Sequence, residues 1–166
     1  MLVWITGLSG SGKSTIGKKV YEEVKKNFSN TIFLDGDDFR NILGNDLSHN
    51  QADRVENARR IHRMCKFLVL QEINVICATM SLYKEIHELN RKDIKDYYEV
   101  FITCDMEELI LRDQKSLYSE AVQGKRDDVV GINLPYDKPQ CCDLIIDNTE
   151  KKDLQSKVQR ILNLIR

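Results

Sequence analysis

Apolar and polar positions along the chain follow two alternating periods. Five short runs, at 2–6, 31–34, 73–79, 98–103 and 143–147, are rich in β-branched and aromatic residues and nearly continuous in apolar character. This is the pattern of strands buried on both faces of a parallel sheet. Between them the spacing becomes helical. Ile16, Val20, Val24 and Phe28 recur every four residues, and Leu154, Val158, Ile161, Leu162 and Ile165 form one stripe on the last segment. The alternation predicts an α/β domain with right-handed crossovers, a central five-stranded, mostly parallel sheet and helices on both faces. Such sheets bind ligands beyond the carboxyl ends of their strands. Residues 124–140 are polar, carry both prolines and lack a period. They predict a mobile loop over that edge, within a lid or substrate segment of about 112–140. With no linker, repeat or low-complexity tract, residues 1–166 read as one domain.

Composition narrows the classes of function. The chain has 166 residues, 42% hydrophobic and 31% charged, with 25 basic against 26 acidic side chains and a formal net charge of −1. That balance offers no global field to nucleic acid or to an anionic membrane, so an anionic substrate must be gripped locally. The longest apolar runs, 1–5 and 67–70, fall far short of the ~20 residues of a membrane span. No basic segment precedes the first run, which argues against a signal peptide. Cys65, Cys77, Cys104, Cys141 and Cys142 are odd in number and lack C-x-x-C spacing, which predicts reduced thiols and a cytoplasmic protein.

Directly after the first strand stands Gly7-Leu8-Ser9-Gly10-Ser11-Gly12-Lys13-Ser14-Thr15, which fits G-x-x-x-x-G-K-[ST] and runs into a helical pattern. Glycines let backbone N–H groups converge on phosphate oxygens, and the helix N-terminus favours negative charge. Lys13 reaches the outer phosphates and the Ser14 hydroxyl can ligate Mg²⁺. A glycine-rich turn that binds nothing is the weaker reading. A GTPase-type switch would need N-K-x-D after D-x-x-G. Here Asn90-Arg91-Lys92-Asp93 lacks that lysine and precedes Asp128-Val129-Val130-Gly131. The charges of 90–93 read instead as the solvated face of an amphipathic helix with Ile86, Leu89, Ile94 and Tyr97.

After the second strand come Asp35-Gly36-Asp37-Asp38-Phe39-Arg40. A carboxylate at that edge can orient or deprotonate an attacking hydroxyl, a second can hold Mg²⁺ through water, and Arg40 can bind an anionic acceptor. The competing reading makes Asp37 or Asp38 a helix cap. Asp53 to Arg63 opens a long helix, on which Arg54 and Asn57 are spaced to meet one ligand, while Arg59, Arg63 and Lys66 share a face. Arg112 and Lys115 place two cations near the phosphates, where a lid cation can stabilise charge in transfer.

Together these segments resemble the adenylylsulfate kinase family of P-loop kinases over nearly the whole chain, from Val3 to about Thr149. The likeness includes residues 7–15, Asp35-Gly36-Asp37 with Arg40, Asp53-Arg54 with Glu56-Asn57 and Arg59-Arg60, Lys115 with Leu117-Tyr118, and Gly131-Ile132 with Pro135-Tyr136. The resemblance implies a three-layer P-loop kinase fold that moves the γ-phosphoryl of ATP, with Mg²⁺, to the 3′-hydroxyl of a nucleotide anhydride. On it, residues 7 and 9–15 and Arg112 contact ATP. Ser14 and Asp35 stand at the metal, Asp37 is the base, and Lys13, Asp35 and Lys115 assist. Asp37, Arg40, His49, Arg54, Asn57, Ser81, Lys115, Val129 and Gly131 meet the acceptor. Ser81 matches the serine of the family's I-S-P-Y-R segment and acts as a substrate-loop residue, since direct transfer needs no phosphoenzyme.

Two departures point within the family. Where it clamps an adenine between two phenylalanines, this chain has Ser48-His49-Asn50 and Asp128-Val129-Val130-Gly131. Stacking on an aromatic is worth ~1–3 kcal/mol per base, so a changed base is the simpler account. Val129 and the Asp128 carboxylate suit a smaller pyrimidine with an exocyclic amine. The pattern is similar to the cytidine diphosphoramidate kinase branch, which serves capsule phosphoramidate synthesis. Cytidine diphosphoramidate is therefore the first acceptor and adenylylsulfate the second. A non-catalytic NTP-binding module is the alternative of another class, and a kinase of a small alcohol is disfavoured by Arg40, Arg54 and Asn57. The first strand starts at about Leu2, without the extra N-terminal segment of many members, and a homodimer is left open.

Overall fold

The structure, a computed structural model, describes residues 1–113 and 116–165. Its strands are β1 (Leu2–Thr6), β2 (Thr31–Asp35), β3 (Asn74–Thr79), β4 (Tyr97–Thr103) and β5 (Leu144–Asp147). They form one five-stranded sheet in the order β2-β3-β1-β4-β5. Every pairing is parallel, and each strand lies within a residue or so of its expected place. β1 is central and buried at all five positions, which is why its sequence is apolar without alternation.

The helices are α1 (Lys13–Asn27), α2 (Gly36–Ile42), α3 (Gln51–Leu70), α4 (Lys84–Asp93), α5 (Met106–Arg112), α6 (Leu117–Val122) and α7 (Leu154–Leu164). Side chains of β1 alternate between two cores, as a period of two requires. Leu2 and Trp4 pack with Phe39 of α2, Ile61 of α3 and Ile86 of α4. Val3 and Ile5 pack with Ile16 and Val20 of α1 and with Val158 and Ile161 of α7. The result is three layers. Because α1 and α4 cover opposite faces, the crossovers leaving β1 and β3 diverge, and a crevice opens beyond the carboxyl ends of those two strands.

A third cluster fastens the lid segment. Tyr118, Ala121, Val129 and Val130 bury against Leu8, Leu82, Phe101 and Leu109, and the Tyr118 hydroxyl donates to the Ser9 carbonyl at 2.8 Å. Within 124–140, where the polar sequence predicts a mobile loop, Val129 and Val130 form an apolar anchor, and the helix α6 precedes them. Hydrophobic packing at every few residues outweighs the lack of a period. All five cysteines are free, and no helix of the described residues is long and apolar enough to cross a membrane.

Of residues 90–93, the charged Arg91 and Lys92 are exposed and Asp93 is half-buried, as a solvated face requires. Asn90 departs from that face: it is fully buried, with its Oδ1 2.7 Å from His62 Nδ1 of α3. A buried amide is tolerated where a partner satisfies it, and that partner comes from a helix 28 positions away in sequence.

Candidate active site

The phosphate loop and the first turn of α1 form one side of the crevice. A Cβ at Gly7 would collide with the Ile102 carbonyl, and one at Gly12, where φ is +99°, with the Asn148 amide; only glycine lets the backbone pass so close. The loop's carbonyls are tied from behind. Asn148 Nδ2 donates to Ser11 O at 2.7 Å, and Arg112 donates to Gly10 O at 3.0 Å and to the carbonyls of Asn148 and Thr149, each at 2.7 Å. The Ser11 N–H donates to Leu8 O at 3.2 Å, and with those carbonyls held the other N–H groups of the loop are left for an anion. Lys13 Nζ donates to Leu8 O across the loop at 2.7 Å.

Facing the loop, Asp35 closes β2 and caps α2, its Oδ1 accepting from the Asp37 N–H at 2.9 Å. The capping role that the competing reading gives to Asp37 or Asp38 belongs to Asp35, which leaves both following carboxylates exposed on the first turn. The Ser14 hydroxyl donates to Asp35 Oδ2 at 2.5 Å. A hydroxyl and a carboxylate so placed fit Mg²⁺, which takes oxygen ligands, keeps several waters and is completed by substrate phosphates. Accordingly, no group of three or more metal-ligating side chains occurs among the described residues.

The crevice is a cleft of about 340 Å³. Of the expected residues, Ser9, Gly10, Lys13, Ser14, Asp35, Asp37, Arg40, His49, Arg54, Asn57, Ser81 and Val129 line it. Others do not. Gly131 backs onto Leu8 and Met106 and faces away from the cleft. Arg112, placed by sequence among the ATP contacts, is buried by its bonds to the backbone and to Glu108, so it braces the loop. Gly7, Ser11, Gly12 and Thr15 shape or flank the loop outside the cleft wall. Lys115 lies outside the described residues.

Arg54 organises the far wall. Its Nε donates to His49 O at 2.6 Å and its Nη2 to Asp128 O at 2.8 Å. One guanidinium thus ties together the two loops that carry the departures from the aromatic clamp. Burial draws the Arg54 pKa below its ordinary value. Arg40 holds the same loop through Leu47 O and Ser48 O, at 2.9 and 3.0 Å, while Asp53 accepts from Ser48 and Asn50 accepts from the Asp53 N–H to begin α3. Desolvation, with Arg54 and Arg40 nearby, lowers the His49 pKa. The Asp128 carboxylate, read in sequence as available to a base, is held instead by Arg126, which lowers its pKa.

Sequence reasoning missed Thr79, Tyr83, Leu117 and Arg126, which also line the cleft. Thr79 ends β3 and Tyr83 follows it, and both become visible only once β3 is placed beside β1. Arg126 carried no pattern beyond a cation near Asp128. A larger hollow of about 910 Å³ lies between α4 and residues 131–141. It holds neither the phosphate loop nor the paired aspartates, so the chemistry belongs to the smaller cleft, where Lys13, Arg40, Arg54 and Arg126 face Asp35 and Asp37.

The chain matches the family model of adenylylsulphate kinase over residues 1–147. It is 45% identical to the cytidine diphosphoramidate kinase of Campylobacter jejuni serotype O:2, covering 97% of this chain and 94% of that one. It is 39% identical to an adenylyl-sulfate kinase of Geotalea daltonii, covering 100% and 82%. Among solved structures it superposes with a TM-score of 0.88 on the Mycobacterium tuberculosis APS kinase CysC in complex with AMPPNP and APS. That pair shares 33% identity over 99% and 96% of the two chains.

Proposed function

The chain belongs to the adenylylsulphate kinase family, phosphotransferases that act on a hydroxyl group, and from that premise we propose that its acceptor is cytidine diphosphoramidate. It transfers the γ-phosphoryl of ATP, with Mg²⁺, to the 3′-hydroxyl of this nucleoside anhydride. Residues 1–166 act as one catalytic domain in the cytoplasm, in the service of capsule phosphoramidate synthesis. A homodimer is compatible with this reading.

The loop N–H groups and Lys13 bind the β- and γ-phosphates of ATP. Ser14 and Asp35 hold Mg²⁺, which when bound neutralises phosphate charge. Arg40, Arg54 and Asn57 hold the acceptor's diphosphate-like anion, and Ser81 lines its path. Asp37 takes the proton of the 3′-hydroxyl as that oxygen bonds to the γ-phosphorus and the bond to the β-bridging oxygen breaks, releasing ADP. Four cations against two carboxylates focus a positive potential in a chain whose net charge is −1.

The observation that carries the acceptor is the far wall. Its two loops present an imidazole and a valine instead of a pair of phenyl rings, while the arginines that grip the anion remain. A phosphoramidate and a sulfate are both small tetrahedral anions, so the same arginines serve either. Phosphorus NMR of a reaction with Mg·ATP and cytidine diphosphoramidate is expected to show a new 3′-phosphomonoester with the phosphoramidate intact. Phosphate appearing only as free orthophosphate would overturn the reading. Adenylylsulfate is the second acceptor, supported by the likeness to APS kinases.

A further inference from the structure

Arg126 lines the cleft beside Val129, on the wall away from the phosphate loop. Its Nε donates to Asp128 Oδ1 at 2.6 Å and its Nη2 to Asp128 Oδ2 at 3.3 Å. The guanidinium is therefore gripped along one side. Nη1 is ion-paired with Glu120 Oε2 at 3.6 Å, a contact that engages at most one of its two hydrogens. The other hydrogen of Nη1 and the second hydrogen of Nη2 leave two donors at the end of the guanidinium. Asp128 is in turn fixed through its carbonyl to Arg54, which ties the orientation of Arg126 to the residue that grips the acceptor's anion.

We propose that Arg126 determines base specificity: its end-on pair of N–H donors reads two adjacent acceptors on the base, the O2 and N3 of cytosine, with Asp128 as the positioning residue. This rests on the cytidine reading above. The chemistry follows from the edges of the bases. Cytosine offers two neighbouring acceptors at O2 and N3; uracil has an N–H at N3, which meets an arginine donor with another donor; adenine has no such adjacent pair, its N1 lying between the N6 amino donor and the C2–H. Recognition by an oriented fork replaces the clamp, which explains how this wall can do without the two phenyl rings. It also explains an arginine beside the base wall that the anion does not need, since Arg40 and Arg54 already serve that end of the acceptor.

The test compares kcat/KM for cytidine and uridine diphosphoramidates in wild type, Arg126→Lys and Arg126→Met. Thermal melting and the affinity for an ATP analogue report whether each variant is folded. Wild type is expected to prefer cytidine, and both variants are expected to lose that preference by about tenfold to a hundredfold, mainly through KM of the cytidine compound. Lysine keeps the positive charge beside Asp128 but lacks the fork, so loss in Arg126→Lys separates reading of the base from charge alone. A folded Arg126→Lys that keeps the wild-type ratio overturns the proposal. If wild type instead turns over adenylylsulfate and neither pyrimidine compound, the acceptor reading fails first and the role of Arg126 falls with it.

Discussion

Replacing Asp37 with Asn is expected to lower kcat by about 10²–10⁴-fold while changing either KM by no more than about threefold. The exchange keeps size and shape on the exposed first turn of α2, and the backbone N–H that Asp35 caps is untouched. What is lost is the ability to accept the proton of the 3′-hydroxyl. Single-turnover quench-flow with saturating Mg·ATP isolates the chemical step. An Asp37→Asn enzyme with wild-type kcat would remove Asp37 from the mechanism, whereas a site that only binds NTP would show no transfer in either protein.

The second large effect is at Lys13. In Lys13→Met the loop loses the one ammonium placed by the G-x-x-x-x-G-K-[ST] motif at the outer phosphates, while the apolar stem keeps its place at the start of α1. Charge on the γ-phosphoryl is stabilised mainly during transfer, so kcat is expected to fall by about 10²–10³-fold. Affinity for a non-hydrolysable ATP analogue, measured by titration calorimetry, is expected to fall less than the rate does. Equal losses in the two would make Lys13 a binding residue only.

These expectations rest on a fold that was largely readable from the chain. β1 announced itself because a central strand is buried on both faces, and α7 because Val158 and Ile161 lie on one apolar stripe. The phosphate loop was readable because strand, glycines and helix follow one another without a break. What escaped depends on partners distant in sequence. Asn90 looks like a surface residue until His62 is placed against it. Arg112 looks like a phosphate-binding cation, yet carbonyls 36, 37 and 102 positions away take its donors. Arg126 matters only because Asp128 and Arg54 orient it. Likewise the lid segment looked loose because its anchors, Val129 and Val130, are two apolar residues in a polar stretch whose contacts lie on Leu8 and Leu82.

The absent rings at the far wall are where energetics and family membership meet. Stacking worth ~1–3 kcal/mol per base corresponds to roughly five- to 150-fold in affinity for each ring. An adenine acceptor would forgo that at both walls, whereas a pyrimidine with two adjacent acceptors recovers binding from oriented hydrogen bonds.

Parallel steady-state kinetics with Mg·ATP and either cytidine diphosphoramidate or adenylylsulfate, reading ADP release and product identity, test this most directly. kcat/KM is expected to favour the cytidine compound by at least about tenfold. An equal or greater kcat/KM for adenylylsulfate would contradict it, and would mean that His49 and Val129 line an adenine site.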